Sequence, residues 1–524
     1  MPFAYAKAAL PLHIYTMPAP CTLPHASFTA KIEQAMIFKD HPRQLIILFF
    51  TEIWERFSYY GMRALLMLYM TKQLLYGDEQ AYAIYGAYGS LVYATPLIGG
   101  MLADRILGQR KAIILGSFIM MCGHFVMAFP TQHTFYAALA LIVIGNGFFK
   151  PNMAPLISQL YRKDDPRRDG GFTIFYMGVN IGAVVSPLAC GWVGETIGWH
   201  YGFGLAGVGM MFGLLLFSKT QKMFGDNGLP PNPADAQQKV IAGLSKIDLV
   251  GVGAFLATPL FMLLLNQNQM MSYLLGIVGA VVVIYVGYTA FFNCTRIERH
   301  RLIVAMFLIF CSVLFWSFFE QGGSSLTLYA DRNVDRQVLS YTLNASQTNA
   351  INPLFIILLA TPFANLWVFL SRRNLEPSTP MKFAIAMVLQ GLGFYIFALG
   401  GSFAGSDALV PLFFLMFGYF MVTAGELSLS PVGLGMVTKL SPARIVSFMM
   451  GVWFLSTSFA HHFAALIGRL TSPAHTADST VSATESLAGY TQVFKIVFWV
   501  SIAAGIILMA LSKPLTKWMH DEEA

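Results

Sequence analysis

Charge is what this sequence lacks. Only 11% of its 524 residues are Asp, Glu, Lys or Arg, against roughly 25% in soluble domains. With 56% hydrophobic residues, including 44 Phe and 28 Met, there is too little polar surface to cover a water-soluble particle. Cysteine is scarce too. The five, Cys21, Cys122, Cys190, Cys294 and Cys311, form no C-x-x-C pair and no His-flanked ligand spacing, so we expect reduced, structural thiols and no metal. The first 35 residues hold five prolines and no unbroken apolar run, which argues against a secretory signal. We read residues 1–40 as a cytoplasmic tail, with Met36 as an alternative start. The net charge of +7 need not mean nucleic acid, because membrane proteins keep Lys and Arg on their cytoplasmic side and become basic for that reason.

What is present is a long series of apolar runs, each near the roughly 20 residues that cross a bilayer. They fall near 44–75, 81–106, 111–129, 134–161, 170–196 and 200–219, then 247–266 and 272–293, then 302–330, 346–371, 380–400, 408–438, 443–469 and 487–512. That is fourteen spans, grouped six, two and six. The expected units are a first bundle (41–219), a linker (220–246), a two-helix hairpin (247–293), a second bundle (294–513) and a tail (514–524). Loop charges give an independent check. Arg105, Arg110, Lys111, Arg162, Lys163, Arg167, Arg168, Arg296, Arg299, Arg301, Arg372, Arg373, Lys382, Lys439 and Arg444 fall in loops of one side. The loops near 77–80, 130–133, 266–272 and 400–407 have no Lys or Arg, and 331–345, with Arg332 and Arg336, is the exception. The positive-inside rule then places both termini and the linker in the cytoplasm.

Ionisable groups at mid-span cost about 2.5–3.5 kcal/mol each, so they are functional candidates. The first span carries Glu52, Glu55, Arg56 and Arg63, the fourth Lys150, the seventh Glu320 and the tenth Glu426. Glu52 and Arg56 are four apart and share a helix face, with Glu55 on its flank and Tyr59, Tyr60 and Arg63 continuing the stripe. Four carboxylates against three cations leave a surplus negative charge that a low-dielectric cavity disfavours. One Glu is therefore expected to carry a proton, and transport to be driven by it. Arg56 and Lys150 lie in the first half and Glu320 and Glu426 in the second, an arrangement that a zwitterion could bridge. Interhelical salt bridges that only hold the bundle together are the competing reading.

Two six-span halves around a cytoplasmic linker, with G-G-M-L-A-D-R-I-L-G-Q-R-K at 99–111 between spans two and three, resemble the major facilitator fold. In that loop Asp104 is expected to pair with Arg or Lys at a helix end. Within that superfamily the chain resembles the proton-dependent oligopeptide transporters of bacterial type. The resemblance rests on E-I-W-E-R-F-S-Y-Y-G at 52–61, G-N-G-F-F-K-P-N at 145–152, F-Y-M-G-V-N-I-G-A at 175–183, F-W-S-F-F-E-Q at 315–321 and G-E-L-S-L-S-P-V-G-L at 425–434. It implies an all-α membrane protein of two six-helix bundles plus a peripheral hairpin, importing di- and tripeptides with protons across a bacterial inner membrane. It implies proton coupling by Glu52, Glu55, Arg56, Lys150 and Glu320. Arg56, Tyr59, Tyr60, Arg63, Tyr93, Lys150, Asn180, Trp316, Glu320, Asn352, Glu426, Ser430 and Trp453 would bind substrate, with Glu426 on the peptide amine. Protons are the coupling ion and no cofactor or protein partner is expected; the partners are peptide, protons and the lipid bilayer.

One position departs from the resemblance. Animal members and some bacterial ones carry a His in an I-Y-H context of the second span, where this chain reads I-Y-G with Gly86. That leaves coupling to the carboxylates. His461 and His462, adjacent in span eleven, are expected to pack or to meet a loop. Other cargo (nitrate, an amino acid, a peptide-like drug) stays open, as does a receptor without flux. No Ser/His, paired Asp or His-rich constellation suits a membrane enzyme, and the two-half layout favours alternating access over a channel.

Overall fold

The computed structural model describes residues 38–520 except 130, 163, 242 and 473–481. Residues 1–37 and 521–524 lie outside the described residues, and with them most of the N-terminal tail, Cys21 and Met36. Twelve helical runs among the described residues are long and apolar enough to cross a membrane. One of them, Asp78–Met127, holds two spans, α2 (Asp78–Leu102) and α3 (Gly108–Met127). The chain reverses between them at Gly108, whose φ of 69° suits a residue without a Cβ. A further span, α1 (Arg43–Leu68), has the length but is made less apolar by its own charges. The total is the expected fourteen.

The first bundle continues with α4 (Gln132–Gln159), α5 (Arg168–Thr196) and α6 (Trp199–Lys219). The hairpin is a bent span, α7 (Lys246–Leu256) with α8 (Thr258–Asn266), followed by α9 (Asn268–Phe292). The second bundle comprises α10 (Arg296–Phe319), which runs through a tight turn into α11 (Ser325–Asn333), then α12 (Ile351–Arg372), α13 (Thr379–Gly400), α14 (Leu412–Leu440), α15 (Val446–Arg469) and α16 (Ala483–Met519). Two differences from the sequence reading follow. The hairpin turn, which the two apolar runs left at 267–271, shrinks to Gln267, because Asn268 already begins α9. The last span runs on through Pro514 to Met519, into the segment expected to be tail. The linker packs against the first bundle: Phe224 is buried, Arg110 Nη1 donates to the Gly225 carbonyl at 2.8 Å, and Gln44 donates to that of Met223 at 2.7 Å. Asp104 accepts from the Gln109 amide at 3.4 Å, while Arg110 turns to the linker.

In lipid there is little hydrophobic drive between helices, so close approach at small residues matters more. Gly178 and Gly182 of α5 face α1, and a Cβ at Gly182 would lie 2.7 Å from the Ile53 carbonyl and 2.8 Å from Arg56 Cβ. The paired glycines of the fifth-span motif thus seat α5 on the charged turn of α1. Pro151, within α4, has no N–H for the Gly147 carbonyl, and Gly99 of α2 closes on that carbonyl, where any Cβ would collide. Gly99→Val is expected to lower stability by about 1–3 kcal/mol through overpacking. A thermal unfolding midpoint in detergent equal to that of the parent would show the contact to be loose.

The halves meet chiefly through α2 with α15 and α5 with α12. Ser90 and Ser458 donate to each other's carbonyls, both at 2.8 Å. Opposite the basic loops, ion pairs join the halves. Arg332 grips Asp78 with two bonds of 2.5 and 2.7 Å and Lys72 reaches Asp331 at 2.6 Å, while Glu195 adds a hydrogen bond, accepting from the Ser346 backbone N–H at 2.9 Å. Arg336 is absorbed locally, donating to the Leu343 carbonyl at 2.6 Å. The exceptional arginines of loop 331–345 are therefore both held in structural contacts. Asp78→Asn should weaken this latch by about 1.5–3 kcal/mol, and so enlarge any population open at that end. Pulsed-EPR distances between labels on the two halves there would lengthen; an unchanged distribution would show that the pair does not lock the state.

Candidate functional site: a charged cavity between the bundles

A cavity of ≈ 210 Å³ lies between the halves. Of the residues singled out in the sequence, Tyr60, Arg63, Tyr93, Asn180, Trp316, Glu320, Asn352 and Glu426 line it. Each half contributes from helices that approach the midplane: α1, α2 and α5 from the first, α10, α12 and α14 from the second. The wall is aromatic and amide-rich with opposite charges on its two sides, and so suits a polar ligand with an apolar body.

The charges form three groups. The first lies in α1 behind the wall. Arg56 Nε is 3.0 Å from Glu52 Oε1 and also contacts Glu55, and all three side chains are buried. Arg56 also sits over the Tyr59 ring, 5.6 Å from its centroid. Glu55, expected on the flank, is fully buried and shares the same guanidinium as Glu52. Removing such a group from water is costly unless a counter-charge compensates it.

The second group spans the halves. Arg63 of α1 contacts the carboxylate of Glu320, at the end of α10, and donates from Nε to the Tyr85 hydroxyl at 2.6 Å. Lys150, just before Pro151 within α4, places Nζ 3.7 Å from the Tyr93 ring centroid. Its closest described partner is thus an aromatic face, with Glu52, Glu55 and Glu320 within electrostatic reach. The third group is in the second half, where Asn352 Nδ2 donates to Glu426 Oε2 and to Thr423 Oγ1, both at 3.0 Å. This bond orients Glu426 and leaves its other oxygen for a ligand.

Five of the thirteen residues expected to bind substrate stay out of the lining. Arg56, Tyr59 and Lys150 are behind it. Ser430 lies one turn beyond Glu426. Trp453 is 8% exposed and packs over Gly433 in the second-half core, where a Cβ at Gly433 would strike its ring. The cation that lines the cavity is Arg63, not Arg56.

Residues not singled out also line it: Tyr176, Asn349 and Tyr419. Tyr176 and Asn349 sit four and three positions before Asn180 and Asn352, so helical spacing from those residues could have found them. Asn180 spends its amide donor on the Tyr176 carbonyl at 2.9 Å. His461 is the larger surprise. It is buried and packed, as expected, against Gly89 of α2, but it also places Nε2 3.6 Å from Glu320 Oε1 and lies tilted against Tyr93 with centroids 5.1 Å apart. His462 points the other way, to Ser272 of the hairpin at 3.4 Å. Among the described residues no group of three His, Cys, Asp or Glu could hold a metal ion, and Cys122, Cys190, Cys294 and Cys311 are free.

Known proteins resemble the chain over most of its length. The POT family model matches residues 110–487. The chain is 38% identical to the uncharacterized transporter YclF of Bacillus subtilis over 443 residues, covering 83% of this chain and 89% of that one. It is 36% identical to the peptide transporter YePEPT of Yersinia enterocolitica (82% and 88% covered) and 36% identical to a di-/tripeptide transporter of Lactococcus lactis subsp. cremoris (92% and 98% covered). Among solved structures, a peptide transporter POT in complex with sulfate superposes with a TM-score of 0.80 at 36% identity, covering 92% of this chain and 96% of that one. A glutamate-to-glutamine mutant of a peptide transporter POT, in complex with alafosfalin, gives 0.80 at 37%, with 94% and 98% covered. With its fourteen spans, two bundles and divided charge, this chain belongs to the POT family of membrane transporters.

Proposed function

We propose that the protein imports di- and tripeptides together with protons, by alternating access across a bacterial inner membrane with both termini in the cytoplasm. The observation that carries this is the division of charge across one cavity, Arg63 on one wall and the Asn352-oriented Glu426 on the other. A free peptide has a carboxylate at one end and an amine at the other, and a divided site can take both. The amine goes to Glu426 and the carboxylate to Arg63, with Lys150 reached past Tyr93. The phenols and Trp316 between them tolerate varied side chains, since they supply area without demanding one hydrogen-bond pattern. That relatives of this length are named peptide and di-/tripeptide transporters supports the cargo.

Alternating access follows from the latch. Asp78, Arg332, Lys72 and Asp331 bind the halves at the end away from the basic loops, which we take as the periplasmic end. Arg63 and Glu320 bind them at mid-depth. A proton that neutralises Glu320 releases Arg63, and a peptide carboxylate can then occupy the guanidinium. Coupling thus arises from competition for one cation.

The test is uptake of labelled di-alanine and tri-alanine into liposomes holding the purified protein. An inward proton gradient should drive accumulation and acidify the lumen. Equal uptake with neither gradient nor voltage, and no acidification, would sink the reading. Competition by a single amino acid or by nitrate, without competition by peptides, would favour another small zwitterion or anion as cargo.

A further inference from the structure

We infer that His461 is a proton-relay residue of this transporter, exchanging a proton with Glu320 across the contact between its Nε2 and Glu320 Oε1. The inference rests on the proton-driven reading above and adds to it a group outside the carboxylates. The ring is 1% exposed, and neither nitrogen has a hydrogen-bond partner among the described residues. A buried imidazole left without hydrogen bonds is unfavourable for packing alone. Its Nε2 instead faces Oε1 of Glu320 at 3.6 Å, while Arg63 engages Oε2 of the same carboxylate. The two sides of Glu320 are thus divided between a fixed cation and a group that can be charged or neutral.

The neighbouring elements are arranged around that ring. On α2, Gly89 lies directly beneath it, where a Cβ would be 2.6 Å from the ring Cγ and would collide with Nδ1. Gly86, one turn before, allows α2 to meet α15, since a Cβ there would collide with Ala465 and lie 3.1 Å from the His461 carbonyl. In the tight turn after α10, Gln321 fixes α15 by donating to the Ala464 carbonyl at 2.9 Å. The charged and titratable groups facing the imidazole are Glu320 from α10, Arg63 from α1, Tyr93 from α2 and Lys150 from α4. Tyr93 carries both the His461 ring and the Lys150 ammonium. The ring therefore shares Tyr93 with Lys150 and the Glu320 carboxylate with Arg63.

The step is a simple transfer. Protonated Glu320 gives its proton to the Nε2 lone pair, yielding imidazolium and a carboxylate that Arg63 then holds. The reverse transfer neutralises Glu320 and frees Arg63 for the peptide carboxylate. Because α15 belongs to the second half and Tyr93 to the first, relative motion of the halves would change the stacking and the path of the proton.

The experiment uses the full chain in liposomes, with labelled di-alanine, and compares gradient-driven uptake with counterflow at equal pH on both sides. His461→Gln should lower driven uptake by about tenfold or more and flatten its pH dependence, while counterflow falls far less. Gly89→Ala, which displaces the ring without altering any charge, should give the same pattern. The inference is overturned if His461→Gln keeps both the driven rate and the pH profile of the parent. It is also overturned if driven uptake and counterflow fall together in both variants, which would make the residue a packing element. Should His461→Gln not be recovered from membranes, Gly89→Ala decides alone by the same readout. Absence of gradient-driven uptake in the parent protein would instead reject the proton-driven reading itself.

Discussion

Glu55→Gln should abolish proton-driven uptake of di-alanine while counterflow exchange continues. Glu52 and Glu55 share the single guanidinium of Arg56, and all three are buried. Two carboxylates on one cation leave a surplus negative charge, which Lys150 or a proton must offset in a low-dielectric interior. Replacing Glu55 by its neutral isostere removes that surplus permanently, and with it the need to take up a proton. Counterflow requires the carrier to cycle loaded in both directions and involves no net proton movement, so it should survive. The expected loss of driven rate is about tenfold or more, and Glu52→Gln and Lys150→Ala should act in the same direction. Proteoliposome flux under an inward gradient, set beside counterflow in the same preparation, measures both. Driven uptake at the parental rate in Glu55→Gln would remove this cluster from the coupling path.

Glu426→Gln should act on binding instead. Its carboxylate is held by Asn352 at 3.0 Å and lines the cavity, with no ion pair to a Lys or Arg among the described residues. An uncompensated carboxylate beside a ligand site is unfavourable until a cation arrives, and a peptide ammonium supplies one. Truncating one partner of a buried charge pair typically costs about 2–4 kcal/mol, which is roughly thirty- to a thousandfold in Kd. Calorimetric titration of di-alanine into detergent-solubilised protein reads this directly. Blocking the peptide amine should cost the parent protein a similar amount and the variant little. An unaltered Kd in Glu426→Gln would place the amine elsewhere.

Much of this was legible in the residues. A chain so poor in charge and so rich in Phe and Leu folds as bilayer-crossing helices, because each helix satisfies its own backbone and needs only length and apolarity. Span count, the grouping into six, two and six, and the ionisable residues at depth all follow from that local rule. So does the importance of E-I-W-E-R at 52–56, since Glu52, Glu55, Arg56 and Arg63 in one span are costly enough to call for a functional reason. The glycine pair of α5 and Gly147 with Pro151 of α4 could be seen as motifs, although their purpose could not.

Pairing across helices was decided only by the tertiary structure. Helical spacing relates residues three or four apart, but says nothing about which face of α15 meets α2, because lipid-facing and bundle-facing positions are alike apolar in this chain. That is why adjacent His461 and His462 could not be separated, and why one of them turned out to face Glu320. It is also why Arg63 rather than Arg56 lines the cavity, and why Lys150 meets the ring of Tyr93 before any carboxylate. The sequence by itself determined the solvent, the number of crossings and the supply of charge. The packing of two bundles decided which charges face one another, since contacts between residues hundreds of positions apart are set by the fit of whole helix faces.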